Sequence, residues 1–328
     1  MIKCKKCMLI ASKYIKIQED GICDICHEHK PELLLSIDFE KKVKKIKKQS
    51  KGKYHCILMC SGGKDSVSAL LTIKEKYGLN PIVFTFDHGF EDSTAINNVI
   101  KACKYVDCDS ILRRYTELKS VFKVIVKENI KVSPCSVCSM WYMIKSYELA
   151  KSLKVKYIIA GWTKGQMSSK ENKTEYMEMS KDTSDFIKNR MRQIKGFEKF
   201  PLSMDKINQK YGKGIEVISP HWFNSDISDN EKIELIKKTG WEKTDSYPKN
   251  STNCIFNFIS SYIQLKCYGY THYNIEMSKL IRQNQMTKEQ AQEKLEFSKN
   301  KDFLGEILIK NRICDEKDWD IYCRKGNF

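Results

Sequence analysis

The sequence predicts an α/β fold in which a parallel β-sheet carries helices on both faces, with a small cysteine-rich unit before it and a helical region after it. Three observations predict this. Short, near-continuous apolar runs alternate with helix-length stretches from residue 54 to about 160. Strands buried on both faces read this way, and parallel neighbours need helical crossovers between them. The glycine pair Gly62-Gly63 follows the first apolar run, where a strand turns into a helix. Four cysteines in two Cys-x-x-Cys pairs crowd the first 26 residues.

In order, residues 54–60 form a short apolar strand, followed by the glycine turn and a helix over 66–77. Residues 81–87 (Pro-Ile-Val-Phe-Thr-Phe-Asp) form a second buried strand, and a helix spans 93–106. A third strand at 110–113 leads to a helix ending near 128, then a loop with Cys135 and Cys138, a helix over 140–153, and a strand over 157–160 ending at Gly161. Beyond residue 170 come polar helical material to 193, a strand over 216–220, and a mostly helical tail from about Cys254. The Ile/Leu and Lys/Glu spacing at 277–280 and 290–295 reads as packed amphipathic helices. The expected divisions are 1–30 for the cysteine knuckle, 31–53 for a basic helix and linker, 54–225 for the α/β domain and 226–328 for the helical region. Ligands of open parallel sheets bind at the carboxyl ends of the strands, where strand order reverses.

The chain has 328 residues, 41% of them hydrophobic and 11% aromatic, enough for a sizeable core and against a disordered chain. No apolar run is long enough to cross a bilayer, and the first residues lack the apolar segment of a signal peptide, so a cytoplasmic protein without a membrane partner is expected. The formal net charge of +17 invites a polyanion, yet only seven of the 58 basic residues are Arg and the lysines are spread along the chain. The Lys-rich run at 41–53 reads first as a solvated helix face.

Fourteen cysteines in such a chain point to metal or sulfur chemistry rather than disulfides. Cys4 and Cys7 are followed, after fifteen residues, by Cys23 and Cys26, with Gly21 at a turn just before the second pair. Two such pairs close a tetrahedral thiolate site, the pattern of a structural zinc ion with no open position for chemistry. His27 and His29 are spare donors beside it. Cys56, Cys103, Cys267 and Cys314 read as small buried hydrophobes.

Between the first strand and its helix stands Ser61-Gly62-Gly63-Lys64-Asp65-Ser66. Glycines let the backbone approach an anion, and a helix N-terminus offers unpaired N–H groups and the positive end of its dipole. Ser61 and Ser66 add hydroxyls and Lys64 adds charge. The spacing is not that of a Walker A loop, so γ-phosphate transfer is not what it suggests. The Ser-Gly-Gly-x-Asp-Ser string in this context resembles the PP-loop superfamily, the N-type ATP pyrophosphatases, over roughly residues 52–165. That resemblance implies a Rossmann-like fold and ATP cleavage between the α and β phosphates. It implies a loop (Ser61, Gly62, Gly63, Lys64, Asp65, Ser66) that holds the departing pyrophosphate with Mg²⁺. It also implies Asp87 at the adenosine end and Gly161 close to the nucleotide, with Lys64 and Asp65 catalytic.

Cys135, Cys138 and the distant Cys254 resemble the cysteines of the iron–sulfur tRNA thiolation enzymes of that superfamily. There three thiolates hold a [4Fe–4S] cluster and leave one iron open for sulfide. A cluster-free version carries a persulfide on one cysteine and resolves it with another, and the plain alternative is a helix cap or a second zinc site with Cys254 simply buried. The cysteine-rich N-terminus and residues 277–295 resemble N-acetyl sugar amidotransferases of the same superfamily, which take ammonia from a partner glutaminase. The pair Cys135/Cys138 departs from that pattern and turns the expectation towards sulfur. The expected partners are ATP, an acceptor that is a tRNA or a small metabolite, a sulfur-donor protein or a glutaminase, and a second copy of the chain. A nucleic-acid-binding regulator with a degenerate ATP loop is the non-enzymatic alternative, disfavoured by the intact Lys64, Asp65 and Ser66. His88, after Asp87, reads as structural, and Trp162, Lys164 and Gln166 lie where an acceptor would approach.

Overall fold

The computed structural model describes residues 2–30, 36–167, 174–223, 227–243, 253–295 and 301–324. Five parallel strands make one sheet in the order β3-β2-β1-β4-β5, with β1 at Cys56–Met59, β2 at Pro81–Asp87, β3 at Ser110–Arg114, β4 at Tyr157–Ala160 and β5 at Glu216–Ile218. Successive side chains of the central strands point to opposite faces, so each face builds its own core. Ile57, Met59, Phe84, Phe86, Ile158 and Ala160 pack with the helices Leu118–Lys127, Pro134–Ser152 and Phe256–Tyr268. Cys56, Leu58, Cys60, Val83 and Ile159 pack on the other face with the helices Lys64–Leu71, Ser93–Tyr105 and Asp229–Lys237. β1, β2 and β4 are buried along their whole length. The edge strand β3 is largely exposed and carries Arg113 and Arg114, which suits an edge that must not pair further.

Strand order reverses beside β1. β2 leaves one side of it and β4 joins the other, with Met59 opposite Ala160 in the register. The loops after these two residues therefore flank one crevice at the carboxyl end of the sheet.

The expected α/β sheet is present, with its strands within a few residues of the expected bounds. Three local details differ. The helix after the glycine turn begins at Lys64 and passes after Leu71 into a π-helical turn over Thr72–Lys76. The stretch expected to be strand to 220 ends at Ile218 and turns into a 3₁₀ segment at Pro220–Trp222, because Pro220 cannot donate to a ladder. Cys135 and Cys138 are not on a loop: Pro134 opens a helix that runs to Ser152. Proline fits the first helical position because its φ is preset and no N–H is needed there. Part of the polar stretch after 170 (168–173) and the segment just before Asn253 (244–252) lie outside the described residues. No helix among the described residues is long and apolar enough to cross a membrane.

The N-terminal knuckle sits on the C-terminal helices. Its residues Leu9, Ile10, Ile15 and Ile25 pack with Tyr268, Tyr270 and Ile275. Met8 N–H donates to Ser278 Oγ at 3.0 Å, and Lys288 Nζ donates to the carbonyls of Cys4 and Lys5.

Candidate active site and cysteine centres

The loop between β1 and the helix Lys64–Leu71 is tied down from several sides. Gly62 has φ +78°, and a Cβ on it would stand 1.9 Å from the Ala95 carbonyl oxygen, so only glycine fits. Its own carbonyl accepts from the Trp241 indole at 2.9 Å and from the Asn98 amide. Ser66 Oγ donates to Gly63 O at 3.0 Å and accepts from Ser61 N–H at 3.3 Å. Gly161, at the end of β4, lets the two loops meet: a Cβ there would lie 2.6 Å from Ser66 N and 2.5 Å from its Cα. The crevice thus brings Ser61, Gly62, Gly63, Lys64, Asp65, Ser66 and Gly161 together, with the first turn of a helix facing it, a ready place for phosphate oxygens.

Charges surround this loop. Lys64 Nζ lies 2.9 Å from Asp65 Oδ1 and 2.8 Å from Asp229 Oδ1. Lys232 lies 3.4 Å from Asp65, and Lys294 lies 2.6 Å from Asp229. Burial works against the Lys64 charge, but Asp65 and Asp229 outweigh it and raise its pKa. Burial likewise opposes the Asp229 charge, and Lys64 with Lys294 holds that carboxyl well below the usual range. His221 Nε2 stands 2.9 Å from the Asp65 carbonyl. A polyphosphate entering the crevice would compete with Asp229 for Lys64. Asp229 escaped the sequence reading because it sits in an ordinary capping box, Ser228 to Glu231, and only the fold carries it to the loop.

Asp87 is buried at the end of β2, where it accepts from Arg114 Nε at 2.6 Å and from Gly89 N–H at 2.6 Å. Trp162 stacks on Trp222 with ring centroids 6.2 Å apart, and Gln166 donates to Glu276, so these two side chains serve packing and bonding within the chain.

The first cysteine centre is a closed four-thiol group. Cys4, Cys7, Cys23 and Cys26 are buried, with Cys4 and Cys26 Sγ 4.0 Å apart and Cys7 and Cys23 Sγ 3.8 Å apart. A tetrahedron with metal–sulfur bonds of about 2.3 Å places its sulfurs about 3.8 Å apart. The backbone N–H groups of Lys6, Leu9 and Cys23 point at Cys4 or Cys7 sulfur, which suits thiolates. Hydrogen bonds from Cys23 and then Cys26 pull the Cys7 thiol down, while its neighbours push Cys23 up. The donor set and spacing fit a zinc ion.

A second set of cysteines comes from the helix start at Pro134 and from Cys254. Cys135 and Cys138 lie one helical turn apart at the start of Pro134–Ser152, and Cys135 N–H donates to Ser260 Oγ at 3.1 Å. Cys254 forms a β-bridge with Glu91, fastened by Ile255 N–H to Phe90 O and Asp92 N–H to Asn253 O. Burial pushes the Cys135 thiol up to about 11, and pushes Cys138 and Cys254 well above the usual thiol value. The Glu91 carboxyl adds to the rise at all three, and Cys135 and Cys138 add to it at Cys254. Tyr142, one turn after Cys138, feels both Cys138 and Cys60, the residue just before the phosphate loop. Cys138 and Cys254 both pack against the core built by the helices Leu118–Lys127, Pro134–Ser152 and Phe256–Tyr268. Thiolates that hold three irons of a cubane stand further apart than ligands of one ion, and these three do not form an ion-sized group among the described residues.

Two residues of this centre were missed or misjudged. His88 Nε2 lies 3.5 Å from Cys254 Sγ and 3.2 Å from Glu91 Oε1. Burial lowers the His88 pKa to about 4 and raises that of Glu91 well above the carboxylate range. The signal was the pair His88 and Glu91 three residues apart just past a strand end, but their link to Cys254 crosses more than 160 residues.

No family model matches the chain. It is 28% identical over 310 residues to an uncharacterized protein of Methanocaldococcus jannaschii, MJ1599, across 91% of this chain and 94% of that one. Among solved structures it resembles the U34-tRNA thiolase NcsA from Methanococcus maripaludis with its [4Fe–4S] cluster (18% identity, TM-score 0.40, 87% of this chain and 89% of that one). It also resembles an NH₃-dependent NAD synthetase from Campylobacter jejuni (11%, TM-score 0.32, 65% and 97%). A third likeness is an NMN synthetase from Francisella tularensis (9%, TM-score 0.31, 64% and 88%). With TM-scores this low, none of the three bears on this chain's chemistry.

Proposed function

We propose that the chain is an ATP-dependent, cytoplasmic enzyme of the PP-loop type that adenylylates a carbonyl or amide oxygen of its acceptor and then replaces that oxygen with sulfur. The observation that supports the reading is a closely packed glycine loop, opening a helix at the switch point of a parallel sheet, where phosphate oxygens fit.

In the first step the acceptor oxygen attacks the α phosphorus of ATP, and the bond to the β phosphate breaks. Backbone N–H groups of the loop, the hydroxyls of Ser61 and Ser66, and Lys64 stabilise charge as it gathers on the pyrophosphate. Asp65 and Asp229, both paired with Lys64, would hold Mg²⁺, which would offset the same charge. Asp87, buried at the end of β2, serves the adenosine end, and Gly161 lets the nucleotide lie close to the backbone.

In the second step a carbon–sulfur bond forms as the carbon–oxygen bond to AMP breaks. Cys135, Cys138 and Cys254 hold the sulfur, either as a ligand of a [4Fe–4S] cluster or as a persulfide. A bound cluster would supply an iron-held sulfide. In the persulfide form one thiol of the pair carries the sulfur and the other resolves the bond to product, leaving a disulfide that an external thiol reopens and a sulfur-donor protein reloads. The knuckle is a structural zinc site. The acceptor is a tRNA base or a small metabolite; the basic surface suits the former.

The test is transfer of labelled sulfur, supplied with ATP as a persulfide-carrying donor or, to protein holding a cluster, as sulfide, to bulk tRNA and to the metabolite fraction of a cell extract. Asp65→Ala is expected to stop both pyrophosphate release and transfer, whereas Cys138→Ala releases pyrophosphate and transfers nothing. Equal loss of pyrophosphate release in both variants would contradict this division of labour. Glutamine- or ammonia-dependent turnover with no sulfur incorporated would favour amidotransfer instead.

A further inference from the structure

We infer that His88, Glu91 and Cys254 form a second metal site, built for one divalent ion of the zinc class and separate from the four-thiolate knuckle. The inference rests on the proposed sulfur centre in that it shares Cys254 with it.

The geometry is that of ligands around one ion. His88 Nε2 stands 3.5 Å from Cys254 Sγ and 3.2 Å from Glu91 Oε1, and all three donor atoms lie within 4.8 Å of one another. Metal–nitrogen and metal–oxygen bonds of about 2.0–2.1 Å and metal–sulfur bonds of about 2.3 Å set tetrahedral N···S and N···O separations of about 3.5 and 3.4 Å. Hydrogen bonds would account for two of these contacts, but they leave a buried carboxylate oxygen unsatisfied. His88 and Glu91 side chains are 4% and 9% exposed, yet Glu91 Oε2, on the same carboxyl as the oxygen that meets His88, has no hydrogen-bond partner. A buried carboxyl, imidazole and thiol facing one another cost more than they return unless a cation joins them.

The scaffold is stiff where the ligands sit. His88 and Glu91 stand within four residues of the end of β2, and the bridge between Glu91 and Cys254 holds the two backbones in register. The His88 ring is wedged among Phe86, Phe90 and Phe122, whose centroids lie 5.7–6.1 Å from it. Three protein ligands leave a fourth position open, as in sites that bind a reacting molecule rather than only a fold. With Cys254 on this ion, Cys135 and Cys138 remain as a thiol pair, the arrangement of the persulfide form of the proposed reaction.

The test is metal content of the full-length protein purified anaerobically, with Zn²⁺ and Fe measured together, followed by chelator treatment and titration with Co²⁺. The wild type is expected to hold one divalent ion beyond the knuckle's. Glu91→Gln, His88→Ala and Cys254→Ser should each lose that ion and keep the knuckle's, and Cys135→Ala should keep both. If a variant fails to fold, the wild type alone decides. A second equivalent of Co²⁺ that adds a thiolate-to-cobalt band supports the site, and saturation after the first equivalent overturns it. Iron near about four per chain with labile sulfide, lost in Cys254→Ser but retained in His88→Ala and Glu91→Gln, would overturn the inference and leave the proposed sulfur transfer standing. A triad ion present while Cys138→Ala still transfers sulfur would uphold the inference and defeat the proposed role of the thiol pair.

Discussion

Two groups of cysteines share this chain and are built on different plans. The knuckle takes its four thiols from two tight turns close in sequence, buries them and aims backbone N–H groups at their sulfurs. Cys135, Cys138 and Cys254 come from a helix start and a bridge more than a hundred residues away. They keep some exposed surface, and Cys254 stands beside a histidine and a carboxyl. The first plan suits donors given wholly to one ion. In the second, burial pushes all three thiols above the usual value. Position relative to the sheet separates the roles: the knuckle packs on the helix His272–Arg282, while the second centre opens near the strand ends.

The largest expected effect breaks the first half of that comparison. Cys7→Ala should release the knuckle ion and lower the melting temperature of the whole chain, because structural zinc contributes on the order of 10 kcal/mol to folding small sites. Molecules that remain folded should keep pyrophosphate release per chain. Loss of turnover without loss of stability would make the knuckle more than structural. The second half is probed by Cys138→Ala, which should cost about 1 kcal/mol or less in unfolding experiments while abolishing sulfur transfer.

A smaller effect is expected at the loop between the two. Gly62→Ala forces a Cβ onto the Ala95 carbonyl and should lower kcat/KM for ATP on the order of a hundredfold, because a small displacement of a positioning loop is costly. The metal content of either cysteine group should not change.

The smallest concerns the helix that joins the regions. Glu276 on His272–Arg282 accepts from Gln166 near the crevice, and the same helix meets the knuckle through Ser278. Burial raises the Glu276 pKa from 4.5 to about 7. The folded state therefore binds a proton that the unfolded chain releases between these values. Its contribution is fully present below about pH 4.5 and is lost as pH rises towards 7. Glu276→Gln keeps an acceptor for Gln166 and should remove that slope, worth roughly 3 kcal/mol at most, in denaturation curves measured across the window.

The sheet was legible because its strands are buried on both faces, so Cys56–Met59, Pro81–Asp87 and Tyr157–Ala160 announce themselves as apolar runs. The glycine turn after β1 was legible because its glycines answer a local demand, and the packing at Gly62 and Gly161 accounts for both. The knuckle was legible because its ligands lie close in sequence. Asp229, Lys232, Glu91 and the role of His88 were not, since each acts across a contact that only the folded chain makes. Asp229 is disguised as part of a helix cap. The helix start at Pro134 was hidden by Cys135 and Ser136, which lack helix-favouring side chains, although Pro134 at its first position was the available sign.

The most direct test of the central claim is the product of ATP turnover, measured with bulk tRNA and the metabolite fraction of a cell extract as acceptors. AMP and pyrophosphate in equal amounts, absent with Asp65→Ala, are the predicted result. ADP and inorganic phosphate, or equal turnover in the variant, would contradict it.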